Sequence, residues 1–364
     1  MSVPPAAHSK QTSQTALPPS DILTIMTPFS TQAAGVTAAT ILLSTAAVVA
    51  VGDYVYRTGT AVSCGVRESQ VKNSLSRYHT PGQGRGPFRG PGWNRWVGHD
   101  LSSWWVTDVP IEEVQIEDPD RPVQIAAWWI TPSYPTRIGS VIVAHGINSS
   151  RRDFSVLLSG AMLVRQGLNV LLIDLRDQGD TTCEDARHSA GQDESDDILT
   201  AANWLQRTKA IPTDKIGVHG ISGGAIAAII AAAKSPAIAA FSLDSPIFDF
   251  NAAATHEVEF QGFPGFLWRA AYWAARLRGV DLMGVSPADG VTAAGHRPIQ
   301  VFHGTNDSRV RYHNALDLIA HAERTGTKAT LHTFEGADHI EGMLIDPDRY
   351  YRELEIFFAA ALGN

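Results

Sequence analysis

A chain of 364 residues, 44% of them hydrophobic, is long enough to bury a full core, and it fits one large domain with an N-terminal appendage. The formal charge of −8 is mild and argues against a nucleic-acid partner. Cys64 and Cys183 lie far apart in no CxxC pattern, so neither a disulfide framework nor a zinc site is expected. No phosphate-cradling loop and no HExxH is present, and nothing calls for a cofactor or a metal.

In chain order, residues 1–32 are polar and rich in Ser, Thr and Pro, with Lys10 and Asp21 as their formal charges, and read as a flexible tail. Residues 33–52 are uncharged and about 20 long, the length that crosses a bilayer. The expectation is a transmembrane or signal-anchor helix. A cleavable signal peptide cut near Val48-Val49-Ala50 is the rival, but the long leading tail lacks the basic cluster such a peptide carries. Residues 53–108 read as a basic, Gly/Pro/Trp-rich linker: Arg57, Arg67, Lys72, Arg77, Arg85, Arg89 and Arg95 stand against Glu68 alone between Arg57 and Arg95. Positive charge near a span stays on the cytoplasmic side, which places the rest of the chain there, with export as the alternative. Trp104 and Trp105 belong either on the following domain or in the interfacial belt.

Residues 109–364 alternate strand and helix signals. Ile111–Ile116 and Val123–Thr131 read as two leading strands, and Val141–Ala144 and Val170–Asp174 as apolar runs of the kind a parallel sheet buries on both faces. Helical periods fill Arg152–Gln166, Asp193–Gln206, Tyr312–Arg324 and Asp348–Ala361. The pattern predicts a doubly wound, mostly parallel eight-stranded sheet, whose crevice lies at the carboxyl ends of the strands. The stretch 250–285, between the sixth and seventh strands, is longer than an ordinary connection and predicts a small helical cap. Its Phe260, Phe263, Phe266, Trp268, Tyr272 and Trp273 either wall an apolar substrate site or glue the cap to the sheet.

The most informative run is Lys215-Ile-Gly-Val-His-Gly-Ile-Ser-Gly-Gly224, a short apolar strand ending in G-x-S-x-G with an alanine-rich helix directly behind it. A serine on that turn projects its hydroxyl above the sheet, and Gly220 and Gly224 leave room for the turn and the helix. A neutral hydroxyl needs an imidazole to take its proton, and the imidazole needs a carboxylate to fix its tautomer. Ser222 followed by Asp307 and His339, each in a loop after a later strand, gives the required order. Asp244 and Asp249 are rival acids, Asp338 reads as a turn-former, and His145, His219, His303 and His332 as structural. The oxyanion donors are expected at the amides of Gly223 and Ile147, with Asn148 as the alternative to Ile147, each worth about 10²–10³ in rate.

These stretches, with His145-Gly146 to Phe154, Asp174-Leu-Arg-Asp-Gln-Gly-Asp-Thr181, Asp244-Ser-Pro246, His303-Gly-Thr-Asn-Asp307 and Gly336-Ala-Asp-His339, resemble the α/β-hydrolases. The likeness is specifically to bacterial serine hydrolases akin to the prolyl-oligopeptidase catalytic domain and the bile-acid-acyltransferase-like hydrolases. It covers about the last two-thirds of the chain. The chain departs at Arg176-Asp177-Gln178-Gly179, where such proteins usually carry Arg-Gly-His-Gly, and at Gly223, where Met or Gln is common. The resemblance implies a serine hydrolase, most simply a carboxylesterase acting on a small acyl ester. A peptidase or amidase acting on a short peptide is the close alternative, although the sequence before residue 111 is too short and linker-like for a β-propeller. A thioesterase or acyltransferase would use the same machinery, and a catalytically silent scaffold is the alternative outside enzymes.

Overall fold

The computed structural model describes residues 46–80, 93–133 and 139–363. Of residues 1–48 it describes only 46–48, which are helical; the compact unit 49–364 contains everything discussed below. Eight strands form one sheet: β1 (Ile111–Glu117), β2 (Gln124–Ile130), β3 (Ser140–Ala144), β4 (Asn169–Ile173), β5 (Ile216–Ile221), β6 (Ala240–Asp244), β7 (Ile299–Gly304) and β8 (Ala329–Phe334). Their order is β1-β2-β4-β3-β5-β6-β7-β8. Strands β1 and β2 are antiparallel to their neighbours, and all pairs from β4 to β8 are parallel. The order reverses at β3, so the loops after β3, β5, β6, β7 and β8 open at one end of the sheet.

The helices are α1 (49–59), α2 (Phe154–Arg165), α3 (Glu194–Thr208), α4 (Gly223–Lys234), α5 (Phe250–Phe260), α6 (Leu267–Leu277), α7 (Pro287–Ala294), α8 (His313–Thr325) and α9 (Pro347–Leu362). Helices α3, α4, α7 and α8 cover one sheet face through Ile198, Leu205, Ile229, Val291 and Leu318. On the other face α2 and α9 bury Leu157, Met162, Tyr350 and Phe358. Helix α4 can lie very close to the sheet because it is built of Gly, Ala and Ile: a Cβ on Gly224 would overlap the Ala144 carbonyl oxygen. The predicted cap is α5 with α6, and it has its own apolar centre around Val258, Trp268, Ala271 and Leu282.

Two expectations fail before residue 109 or through it. The predicted linker is folded: Leu75, Tyr78, Trp96 and Leu101 are buried with the core of α2 and α9. Its polar groups are equally engaged, since Gln70 donates to Asp153 (2.7 Å), Asn73 to the Arg152 carbonyl (3.1 Å), and Arg95 to the Gly336 carbonyl (2.8 Å) and Glu341 (3.0 Å). Composition misled because Gly, Arg and Pro dilute a handful of large apolar anchors that do the packing. Trp104 and Trp105 lie on the domain, against Tyr351 and the Tyr78 carbonyl.

Cys64 and Cys183, expected to be unpaired, form a disulfide across 119 residues, with Cα atoms 5.8 Å apart. Sequence spacing carries no information about a pairing that depends on the fold bringing two loops together.

The expected span begins in residues 33–45, which lie outside the described residues. Its end, from Val49, belongs to α1, which packs on the cap through Val55 and Tyr56. Among the described residues no helix is long and apolar enough to cross a membrane.

Candidate active site

Strand β5 ends at Ile221, and Ser222 follows with φ 53° and ψ −111°, a left-handed backbone that L-residues rarely hold. Helix α4 starts one residue later, so the hydroxyl stands above the carboxyl end of the sheet. The turn is held by the Ser222 N–H, which donates to the Asp244 carbonyl on β6 (2.8 Å). A Cβ at Gly220 would overlap the Gly224 carbonyl, which is why the position before Ile221 is glycine.

The loops after β7 and β8 bring Asp307 and His339 to this hydroxyl. His339 Nδ1 lies 2.8 Å from Asp307 Oδ2, and His339 Nε2 lies 2.9 Å from Ser222 Oγ. A carboxylate only accepts, so Nδ1 carries the proton and Nε2 is left to accept from the serine hydroxyl. Asp307 Oδ1 accepts from the Arg309 (2.9 Å) and Val310 (2.7 Å) amides, which fixes the carboxylate plane. His303 Nε2 donates to the Val310 carbonyl (2.7 Å) and lies 3.3 Å from Asp307 Oδ2. Burial alone would raise the Asp307 carboxyl; His339 and the His303 hydrogen bond outweigh it and hold the group well below the usual carboxylate range.

The rival acids lie elsewhere. Asp249 caps α5, accepting from the Ala252 amide (3.0 Å). Asp244 is buried beneath the turn, where its Oδ2 accepts from Tyr350 (2.8 Å) and its Oδ1 from Ser245 (3.0 Å). Burial pushes the Asp244 carboxyl up to about 6. The Ser245 hydroxyl in turn accepts from the Ile340 amide (3.3 Å), beside His339. Ser222, Ser245 and Ile340 all hold positive φ (53°, 52° and 54°), and the Asp244-Ser245 pair hydrogen-bonds to both the serine turn and the histidine loop. Asp338 fixes the histidine turn, its Oδ1 accepting from Ser308 N and His339 N, both at 2.7 Å.

The other histidines play structural parts. His145 accepts from the Leu175 amide (3.0 Å) and donates to the Gly146 carbonyl (2.7 Å), and burial keeps it neutral. His219, in the core against Ser242, is held down to about 3 by burial. His332 stacks on Phe302 within β8.

Neither the Ile147 nor the Gly223 amide donates to another group among the described residues. The two backbones approach so closely that a Cβ on Gly223 would sit 2.9 Å from Ile147 N and press on the Ile147 side chain. This accounts for glycine where larger residues are common: the bulk at this point is supplied by Ile147 instead. Gln178, the departure in the β4 loop, braces the same strand end, its Oε1 accepting from the Asn148 and Ser149 amides. Arg151 and Asp174 form a buried ion pair beneath it.

A cavity of about 330 Å³ opens beside Ser222 and His339. Phe250, Val258 and Trp268 of the cap wall it, while Phe266 and Trp273 lie outside it, exposed. The opposite wall comes from a region expected to be linker: Val55 and Tyr56 of α1, then Thr58 to Ala61 and Arg67. That wall is fastened by the Cys64–Cys183 disulfide and by the Ser63 amide donating to Asn148 Oδ1 (3.0 Å). No motif announces it in the sequence, because its contribution depends on packing alone. Among the described residues one cluster of the metal-ligating type occurs, Cys64 with Asp177 and Cys183, and both of its cysteines are spent in the disulfide.

Residues 154–364, more than half of the chain, match the prolyl oligopeptidase family. The chain belongs to the prolyl oligopeptidase family. It is a serine hydrolase of the α/β-hydrolase fold. Among solved structures it is similar to an esterase of Pyrococcus furiosus, with 20% identity over 70% of this chain and 94% of that one and a TM-score of 0.58. An α/β-hydrolase of Penicillium sp. is similar at 16% identity over 70% of this chain and 99% of that one, with a TM-score of 0.57. An acylaminoacyl peptidase of Pyrococcus horikoshii is similar at 15% identity over 70% of this chain but 41% of that one, with a TM-score of 0.52. These likenesses establish the shared fold.

Proposed function

We propose that this member of the prolyl oligopeptidase family is a carboxylesterase acting through an acyl-enzyme on Ser222. The observation that carries the reading is the unbroken contact chain from Ser222 Oγ through His339 to Asp307. Ser222 Oγ attacks the ester carbonyl as His339 Nε2 takes its proton, and Asp307 stabilises the imidazolium. The oxyanion forms between the Ile147 and Gly223 amides, which have no acceptor to give up. Collapse returns the proton from His339 to the leaving alkoxide; water then repeats the sequence and frees the acid.

The ester preference is supported by a cavity whose cap side is mostly apolar, through Phe250, Val258, Trp268 and Ala271 with Glu257 and Gln261 as its polar members, and so suited to an acyl or alkyl substituent. Family membership supports the second reading, a peptidase or amidase on short peptides. Matched ester, amide and thioester substrates sharing one acyl group separate the two, and the larger kcat/KM names the class. Replacing Ser222 with Ala should lower turnover by about 10⁴–10⁶ with the fold intact and abolish labelling by a fluorophosphonate. Substantial turnover in a folded Ser222→Ala protein overturns the assignment.

For location the reading is the exported alternative, supported by the disulfide, since such bonds persist in oxidising compartments. The uncharged stretch 33–48 is proposed to tether the chain to a membrane. Release by carbonate washing, or free thiols at Cys64 and Cys183 in protein alkylated inside cells, would refute the respective halves.

A further inference from the structure

Helix α6 presents two faces of opposite use. Trp268, Ala271, Ala274 and Ala275 face the cap interior, and two of these, Trp268 and Ala271, line the cavity beside Ser222. On the other side Phe266, Arg269, Trp273, Arg276 and Leu277 follow one another at helical spacing, and Phe266 is 74%, Trp273 65% and Leu277 74% exposed. A solvated helix face is ordinarily polar; three large apolar side chains on one such face mark a surface with a partner. The neighbouring helix α1 extends the patch with Val49, Val51 and Tyr54, which are 43%, 41% and 58% exposed. The two helices touch where Gly52 meets Ala270, and Tyr54 sits edge-on to Phe263 at 6.0 Å.

Two observations name the partner. Residues 33–50 carry no charge, and in sequence this stretch is continuous with α1, whose exposed residues form part of the patch. The patch also mixes aromatics with guanidinium groups: Arg276 is paired with Asp281 and Arg278 with Asp53, while Arg269 has no acidic partner among the described residues. Trp and Tyr between apolar and wet surroundings, with long cations reaching past them, is the composition of the bilayer interface.

We propose that the outer face of α6, with the exposed side of α1, lies on a lipid bilayer, so that esters dissolved in that bilayer reach Ser222 past the cap. The surface itself does not depend on the hydrolase reading, whereas the delivery of lipid-borne esters does. One helix separates lipid from cavity: Trp273 and Leu277 contact the headgroup boundary while Trp268 faces the substrate.

The test uses the full chain in vesicles of phosphatidylcholine and phosphatidylglycerol with brominated acyl chains. Tryptophan emission should be quenched, and Trp273→Phe should remove part of the quenching. A triple variant, Phe266→Ser with Trp273→Ser and Leu277→Ser, should hydrolyse a vesicle-borne amphiphilic ester about tenfold more slowly and a soluble short-chain ester at the original rate. Equal quenching in wild type and Trp273→Phe overturns the surface, as does a dimer in solution that shields Trp273. Loss of fluorophosphonate labelling at Ser222 in the unaltered chain would instead sink the hydrolase reading, while the quenching would still report on the surface.

Discussion

Asp307 and Asp244 are carboxylates of the same neighbourhood with opposite electrostatic fates. Asp307 is held ionised by two imidazoles and two amides, so it serves the histidine as a permanent anion. Asp307→Asn should therefore cost about 10⁴ in kcat by admitting the wrong imidazole tautomer, which steady-state kinetics will measure. The Asp244 carboxylate touches no part of the Ser222–His339–Asp307 side-chain chain; the residue carries the turns on which serine and histidine stand. Asp244→Asn should lower kcat by about tenfold or less and leave KM nearly unchanged. Its signature lies in stability. A carboxyl raised to about 6 in the fold gives stability that is present below its unfolded value near 4 and lost as pH rises toward 6. The variant does not titrate, so its Tm relative to wild type should climb between about pH 4 and 6 and then level off, by the equivalent of roughly 3 kcal/mol. A flat difference would show that the Asp244 carboxyl is not raised in the fold above its unfolded value. The contact of Ser222, Asp307 and His339 was legible because order and strand context constrain it. The Asp244-Ser245 support was not, since nothing in Asp-Ser-Pro announces contacts with Ile340 and Tyr350.

At the scale of elements, the stretch 53–80 shows where sequence reading stops. Its helical and apolar signals are weak, yet it walls the cavity and buries Leu75 and Tyr78. Strands β3 and β4 were readable from continuous apolar runs because both of their faces are covered, whereas this segment packs through isolated side chains on a single side. A protein beginning at residue 98 should accordingly aggregate or unfold, while one beginning at residue 46 should retain activity on soluble esters; thermal unfolding and a short-chain ester assay distinguish them. The disulfide makes the same point energetically. Closing a 119-residue loop is worth at most about 4–5 kcal/mol on chain-entropy grounds. Cys64→Ser with Cys183→Ser should lower Tm and raise KM several-fold more than it lowers kcat, because it loosens a wall and leaves the nucleophile in place. An unchanged KM would mean that the Ser63–Asn148 bond and the Gln70 contacts hold the wall unaided.

For the molecule as a whole, three apolar centres divide the labour: one on each face of the sheet, and one in the cap with α1. The first two surround the strands that carry the candidate nucleophile, acid and base. The third is smaller, and its Trp268 and Tyr56 both line the cavity. Whatever fills the cavity therefore touches the smallest of these apolar centres.

Gly52 turns that arrangement into a thermodynamic coupling. A methyl group at this position would overlap the Ala270 carbonyl, so α1 can lie on α6 only while residue 52 has no side chain. Anything that pulls on α1 from its amino-terminal side acts on Tyr56 across the cavity, and linkage requires the reverse as well. An occupant held between Tyr56 and Trp268 must tighten the seat of α1 by the same free energy with which the seated helix tightens the occupant. Slower amide exchange over residues 52–59 when a covalent inhibitor occupies Ser222 would be the direct sign of it, and Gly52→Ala should erase that slowing.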